Sequence, residues 1–367
     1  MDKRSLRDWW MPVSLRFEDI FGGQTPSARP LGHTLYFSAQ PTSAAITRLK
    51  QLLSEQRTRE LLPLSNVRLL NAFDGLARRW LDPLCPERRR YLAIAEAMSG
   101  ATVPLLSARL DSSLQALRAP TLEQRLSSVY GPLEPLEDFW ELKGHGVRLR
   151  RTGPSLVGVR AQGLPELALL ALVRALCVRS AVLVQADSET GVLLSLLLQS
   201  LAQLEKGLAE SVAVTGPVLG SDEQAQRRWL EELSQLTTWG SDDELKRLLR
   251  LAPALPTQAL GRARSVTVLL RSGLQAGEGL KALSRGIVRD VLLGTPEPGY
   301  AGNVIFVEQN ALVTPEQVTH ALSEALVEQA RHIPPSRVSD TQLARQRSAL
   351  SLLQVHHAQQ SLVLVPP

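Results

Sequence analysis

Apolar residues recur at helical spacing through the first third of the chain. Between Thr42 and Glu60 they fall at Ala45, Ile46, Leu49, Leu52 and Leu53 among arginines and glutamates, and Asn66–Trp80 and Glu87–Met98 repeat the habit. Pro63, Pro83 and Pro86 punctuate these helices. The period changes near Gly144. Val147–Arg151 alternates apolar with basic residues and Ser155–Arg160 is a short apolar run, so the intervening Thr152-Gly153-Pro154 predicts a hairpin. A loop, Ala161 to Leu164, leads to Pro165 at a helix start, and a leucine-rich helix follows to about Cys177. Strands at Ala181–Gln185, Ser211–Thr215 and Leu236–Trp239 then alternate with helices at Glu189–Leu208, Asp222–Leu233 and Asp242–Leu251. Such alternation predicts βαβ units and a parallel sheet covered on both faces. A second α/β stretch places strands at Ser265–Leu270 and Asn303–Glu308, and helices at Gly277–Leu292 and Pro315–Ala330, the last with Thr314 as N-cap.

A length of 367 residues fits two ordinary domains, and 44% hydrophobic with 21% charged residues makes the chain globular. Aromatic residues at 4% leave the packing to leucine, alanine and valine, and argue against a base-stacking platform, so no nucleic-acid partner is expected. The net charge is +5, yet all but six of the cations are arginines spread along the chain. Arg88-Arg89-Arg90 and Arg148/Arg150/Arg151 are the tightest clusters, and read as solvated faces. Met1–Phe17 has no uninterrupted apolar core, and the apolar stretches Leu167–Val173 and Val192–Leu198 are too short to span a bilayer. A cytoplasmic protein without a transmembrane segment is expected, with Trp9-Trp10 buried in its own core. Cys85 and Cys177 form no C-x-x-C spacing, and the six histidines cluster only at His356-His357, so no metal site is expected.

In parallel-sheet proteins ligands sit beyond the carboxyl ends of strands, which directs attention to the residues after Arg160, Val184, Thr215, Trp239 and Leu293, and to a crevice between the two α/β units. No G-x-G-x-x-G, phosphate loop, H-E-x-x-H or G-x-S-x-G is present. Gly216–Gly220 and Gly240 would let a phosphate approach a helix N-terminus. Ser241-x-x-Glu244 equally satisfies a capping box, which needs no ligand.

Several segments, in order, resemble the acyl-CoA reductase family of the aldehyde dehydrogenase superfamily, which includes the reductase subunit of the bacterial bioluminescence fatty-acid reductase complex. The clearest is Leu236-Thr-Thr-Trp239-Gly240-Ser241-Asp242-Asp243-Glu244, close to the family's strand ending in Trp-Gly-Gly-Asp-Glu. Gly158-Val-Arg-Ala-Gln162-Gly163-Leu164-Pro165 is similar to its Gly-Asn-x-Pro loop, and Ser180-Ala-Val-Leu-Val-Gln185-Ala-Asp-Ser188 to its strand ending in lysine before a Ser/Thr pair. Leu260-Gly261-Arg262-Ala263-Arg264-Ser265 resembles the turn into the catalytic domain, and Asn303–Glu308 the strand after the nucleophile. The matches run from about residue 64 to 340. The resemblance implies a helical N-terminal region (1–130), a Rossmann-type nucleotide-binding domain (131–258) and a smaller catalytic-like α/β domain (259–367). Because the chain stops at Pro367, that last domain is expected to be shortened at its C-terminus.

Family members attack a thioester with a cysteine thiolate and reduce the acyl-enzyme with NAD(P)H, while an asparagine amide holds the oxyanion and a lysine the cofactor ribose. This sequence departs at each of those positions. Gly286–Asn310, where the nucleophile loop must lie, has no cysteine, and counting back from Val307-Glu308 puts Gly299 at the nucleophile position. Gly163 stands for the asparagine and Gln185 for the lysine. Thr295 and Tyr300 have no histidine or lysine base nearby in sequence. The resemblance therefore implies a pseudoenzyme that pairs with an active paralogue or an acyl-transferring enzyme, or with its own copies. NADPH or no cofactor, and acyl-CoA, stand as open alternatives, and Gln185, Ser188, Trp239, Gly240 and Ser241 are the candidate cofactor residues. An active NAD(P)H-dependent reductase of a long-chain acyl thioester, and a purely structural subunit, are the competing readings.

Overall fold

The computed structural model describes residues 5–12, 27–31, 34–38, 42–142, 144, 146–216, 223–261, 265–274, 277–294, 302–308, 313–334, 344, 347, 348 and 351. It forms two compact units, Met1–Met98 with Arg109–Arg262, and Ser99–Ala108 with Ala263–Pro367. Among the described residues no helix is long and apolar enough to cross a membrane.

The first unit opens with a small sheet of β1 (Ser5–Arg7), β2 (Ser27–Leu31) and β3 (Thr34–Ser38), ordered β1-β3-β2. The helical reading of the N-terminal region missed it, since these strands are only three to five residues long. Pro30 is tolerated because β2 is an edge strand. Helices α1 (Ser43–Gln56), α2 (Asn66–Leu81), α3 (Pro86–Ser99), α4 (Val103–Gln115, counted with this unit from Arg109 on), α5 (Ala119–Tyr130) and the short α6 (Glu134–Glu137) follow. Thr42 and Ser65 cap α1 and α2 by accepting from the amides of Ala45 and Arg68. Arg88 does not lie on a solvated face. It is buried, donating to the Trp80 carbonyl and pairing with Asp111. Arg150 and Arg151 likewise donate to the carbonyls of Leu62 and Tyr130.

Strands β4 (Trp140–Leu142) and β5 (Val147–Leu149) pair antiparallel with each other. The hairpin expected across Thr152–Pro154 does not form. The Gly153 amide donates to the Val178 carbonyl at 2.6 Å, and β6 (Leu156–Ala161) turns away into a parallel sheet. That sheet also contains β7 (Ala181–Ala186), β8 (Val212–Thr215), β9 (Gln235–Trp239) and β10 (Thr257–Leu260), ordered β10-β9-β6-β7-β8. Its connections carry α7 (Pro165–Cys177), α8 (Ser188–Leu204), α9 (Lys206–Glu210), α10 (Glu223–Leu230) and α11 (Asp242–Leu251). Every residue of β6, β7 and β8 is buried, as parallel strands covered on both faces require. On one face Leu156, Ala181, Leu183, Ala213 and Leu236 pack against α1, α10 and α11 through Leu49, Trp229, Leu248 and their neighbours. Gly158 lies on this face because a Cβ there would stand 2.5 Å from Leu233 Cδ1. Helices α7 and α8 cover the other face. Trp9 and Trp10 are buried, and Trp10 bridges to Val214 and donates its indole N–H to the Ala209 carbonyl at 2.9 Å.

The second unit pairs β11 (Ser265–Leu269) parallel with β12 (Gly302–Val307). Between them runs α12 (Glu278–Leu293), so Leu293 ends a helix rather than a strand. Helix α13 (Pro315–His332) follows, opened by a complete capping box between Thr314 and Gln317. Leu269, Leu274, Leu280, Val313, Val318 and Ala321 form its core.

Candidate functional site

Strand order decides where a ligand belongs. The chain lays β6, β7 and β8 outward in one direction, then returns to place β9 and β10 on the other side of β6. The direction reverses between β6 and β9, and open parallel sheets bind ligands beyond the carboxyl ends of the strands at such a point. Here Arg160 pairs in register with Gln185 on one side and Thr238 on the other, and Gln185 pairs with Thr215. Paired residues share a face of a sheet, so Thr215, Gln185, Arg160 and Thr238 form one buried polar row across four strands. Directly behind it that face is apolar.

The first turn of α11 adjoins this row. Ser241 is its N-cap and accepts from the Glu244 amide at 3.4 Å. The Glu244 carboxylate pairs with Arg160, Oε1 to Nη2, at 2.5 Å. Burial weakens the hold of Arg160 on its proton, Glu244 opposes that, and nearby Arg247 adds to it. Thr215 Oγ1 donates to the Val184 carbonyl, whereas Arg160 Nη1 and Thr238 Oγ1 are buried without a hydrogen-bond partner. Trp239 is buried and donates its indole N–H to the Gln162 carbonyl at 2.9 Å. Gly240 donates to the Leu260 carbonyl at 3.3 Å. Gly163 has φ +70°, with open space where a Cβ would be, and its amide donates to Asp187 Oδ2 at 2.5 Å. Asp187 in turn caps α8, accepting from Thr190, and Ser188 is the first residue of that helix.

The structure thus brings Gly163, Gln185, Ser188, Trp239, Gly240 and Ser241 to one edge of one sheet, while Gly299, Thr295 and Tyr300 lie outside the described residues. Arg160, Thr238 and Glu244 join this edge without having been among the candidate cofactor residues. Their sequence signal is a polar residue at the end of an apolar period-two run, in Leu156-x-Gly158-x-Arg160 and Leu236-x-Thr238, and Glu244 was legible only as a capping residue.

A second group was not legible at all, because four elements bring it together. Tyr91 of α3, Glu166 on the first turn of α7, Asp187, and Glu189 on the first turn of α8 converge near Arg109 of α4. Burial, then the charges of Glu166 and Asp187, raise the Glu189 carboxyl to about 7. Burial raises Glu166 against the pull of Arg109. Tyr91, 1% exposed, is held well above its ordinary value by burial and by these carboxylates.

Both cysteines are buried. Cys177 ends α7, which starts at the carboxyl edge of the sheet beside Pro165 and returns to the opposite edge, where β7 begins. Burial pushes its thiol up to about 12. Cys85 precedes α3 and donates to Glu87 Oε2 at 3.3 Å, and burial first of all raises its thiol. Neither is a thiolate nucleophile at neutral pH. A groove of about 620 Å³ between α12 and α13 is lined by Lys281, Arg285, His320, Glu324, Glu328 and Arg331. Within it Arg285 pairs with Glu328, His320 Nε2 lies 3.3 Å from Glu324 Oε1, and it contains none of the residues above.

The chain is similar in structure to an NAD-dependent aldehyde dehydrogenase from Sinorhizobium meliloti, at 12% identity and a TM-score of 0.60, with 91% of this chain and 64% of that one covered. An oxidoreductase from Marinobacter aquaeolei matches at 14% identity and a TM-score of 0.59, covering 88% of this chain and 63% of that one. An NAD-dependent benzaldehyde dehydrogenase from Corynebacterium glutamicum does so at 14% and 0.59, covering 92% and 74%. At these identities the likeness is one of fold, the aldehyde dehydrogenase fold, and the chain spans less than two thirds of the length of the first two. No curated protein matches it. The model of the acyl-CoA reductase (LuxC) family matches residues 63–362. That match covers most of the chain, and the chain belongs to the acyl-CoA reductase (LuxC) family.

Proposed function

We propose that this family member has given up thioester attack and works by binding, as a partner or regulatory subunit for an enzyme that makes or consumes fatty-acyl groups. The observation that carries the reading is the state of its cysteines. Only two exist, none falls between Gly286 and Asn310, both are buried, and Cys177 sits at the wrong edge of the sheet with its thiol near 12. A buried thiol is a poor nucleophile, and acyl transfer needs an activated one.

The residues at the switch point fit the phosphates of a nicotinamide dinucleotide better than its ribose. Arg160 Nη1 and Thr238 Oγ1 are unpartnered buried donors, and α11 presents its N-terminal turn beside them. Gln185, where the family carries lysine, offers no charge to the sugar. A nicotinamide cofactor supplies hydride when bound. This chain's own part would be to orient it, with Trp239 and Gln162 closing the side of the crevice.

The test is direct. Purified protein is mixed with a long-chain acyl-CoA and NADPH, and absorbance of the reduced nicotinamide is followed beside the Cys85→Ala/Cys177→Ala double variant. No thioester-dependent oxidation is expected from either. Oxidation that requires the thioester would overturn the reading and favour an active reductase.

A further inference from the structure

Burying a donor without a partner forfeits its hydrogen bonds to water, so such groups are rare in native proteins and each needs a reason. Of several such atoms among the described residues, two belong to adjacent strands. Arg160 Nη1 and Thr238 Oγ1 belong to residues paired in register on β6 and β9, at the point where strand order reverses. Arg160 is 8% exposed and Thr238 1%. An arginine nitrogen only donates, and a threonine hydroxyl readily does. A group that satisfies both would therefore be an acceptor. Arg247, close enough to Arg160 for their charges to oppose each other, makes the surroundings cationic. Glu244 is the carboxylate paired with Arg160.

Glu244 already holds the other half of the guanidinium, Nη2, at 2.5 Å. It reaches Arg160 from the N3 position of α11, and its Oε2 lies where a Cβ on Gly240 would be 3.0 Å away. The carboxylate therefore fills the space between the turn and the strand ends, where an anion would enter.

We propose that Arg160, Thr238 and the first turn of α11 form an oxyanion site that Glu244 keeps occupied from within, so that a phosphate-bearing ligand binds by displacing the Glu244 carboxylate. This rests on the phosphate-binding part of the function proposed above, and concerns how that edge is gated. A carboxylate offers the guanidinium the same bidentate geometry as a phosphate, with less charge. A diphosphate carries enough charge to win that exchange, whereas a neutral or carboxylate ligand does not.

The experiment is calorimetric titration of the full chain with inorganic pyrophosphate at low ionic strength, in parallel with NADPH, on the wild type, Glu244→Gln, Arg160→Leu and Thr238→Val. Removing the competing charge is expected to tighten pyrophosphate binding by about tenfold or more in Glu244→Gln, the scale of one charge-assisted hydrogen bond. Arg160→Leu is expected to lose the binding. Thr238→Val preserves shape and leaves the ion pair intact, so its melting temperature holds or rises while its pyrophosphate affinity falls several-fold. Pyrophosphate affinity in Glu244→Gln no tighter than in the wild type overturns the gating. Unchanged affinity in Thr238→Val overturns the site, even where Arg160→Leu fails to fold. Pyrophosphate binding with this pattern, but no NADPH binding, leaves the oxyanion site standing and removes the dinucleotide from the function proposed above.

Discussion

Replacing Glu189 by glutamine isolates the electrostatics of the buried acidic group at the carboxyl edge. The Glu189 carboxyl rises from 4.5 to about 7 through burial and the neighbouring Glu166 and Asp187. A carboxyl raised on folding binds more protons in the native than in the unfolded state between those two values. Stability is therefore fully present below pH 4.5 and declines as pH rises through about 7. The full shift corresponds to about 3 kcal/mol. Glu189 is only partly buried, so screening brings the expected effect to about 1–2 kcal/mol. In a unit of this size that is a melting-temperature difference of roughly 3–6 °C. Glutamine mimics the protonated carboxyl, so thermal melts followed by circular dichroism should differ at pH 5 by only about a quarter of the full effect between wild type and Glu189→Gln. They should separate by pH 8, with the variant the more stable. The lowered carboxyls of Asp74 and Glu87 act at the acid end of the range, where stability is lost as pH falls, and the Cys177 thiol acts above pH 9. Neither intrudes on the window, and Glu166, also raised by burial, is present in both proteins, so the comparison reads their difference. A gap that stays constant from pH 5 to pH 8, or a variant less stable at pH 8, would refute the reasoning.

Other consequences are equally concrete. Native protein should leave a thiol-specific chromogenic reagent unreacted over minutes at pH 7.5, and release two equivalents once denatured, because both cysteines are buried with raised thiols; rapid labelling of either native thiol would contradict this. Gly191→Ala places a Cβ 2.4 Å from the Asp8 carbonyl oxygen, and overpacking of about 1–3 kcal/mol should outweigh a helix-propensity gain of about 1 kcal/mol. Urea denaturation followed by tryptophan fluorescence should show the net loss. Arg88→Met strips the Trp80 carbonyl of its buried donor while Asp111, 41% exposed, turns to water, so a loss of about 1–2 kcal/mol in the same assay is expected. Asp111→Asn should cost less than Arg88→Met, and the reverse order would place the stabilisation in the ion pair instead.

Much of the architecture is local and was legible. The period of apolar residues located α1, α2, α3, α7, α11 and α13 within a few residues, and continuous apolar runs located β7 and β8, because amphipathic helices and doubly covered strands each leave a characteristic spacing. Thr314 and Pro165 marked helix starts, since capping chemistry acts within four residues. The failures were non-local. Short β1, β2 and β3 carry too few residues to show a period, and the false hairpin at Thr152–Pro154 came from two strands that find different partners.

The same division holds for the site. Sequence alone determined the family resemblance, the loops after β6, β7 and β9, and the absence of a cysteine between Gly286 and Asn310, all properties of contiguous residues. Only the tertiary structure decided that Arg160, Thr238 and Glu244 meet, that Tyr91, Glu166 and Glu189 share one buried place, and that Cys177 lies at the far edge. Charge and burial act through space over a few ångströms, whereas residues such as Arg160 and Glu244 are 84 positions apart in the chain. Strand register and helix packing, not sequence spacing, set which of them face one another.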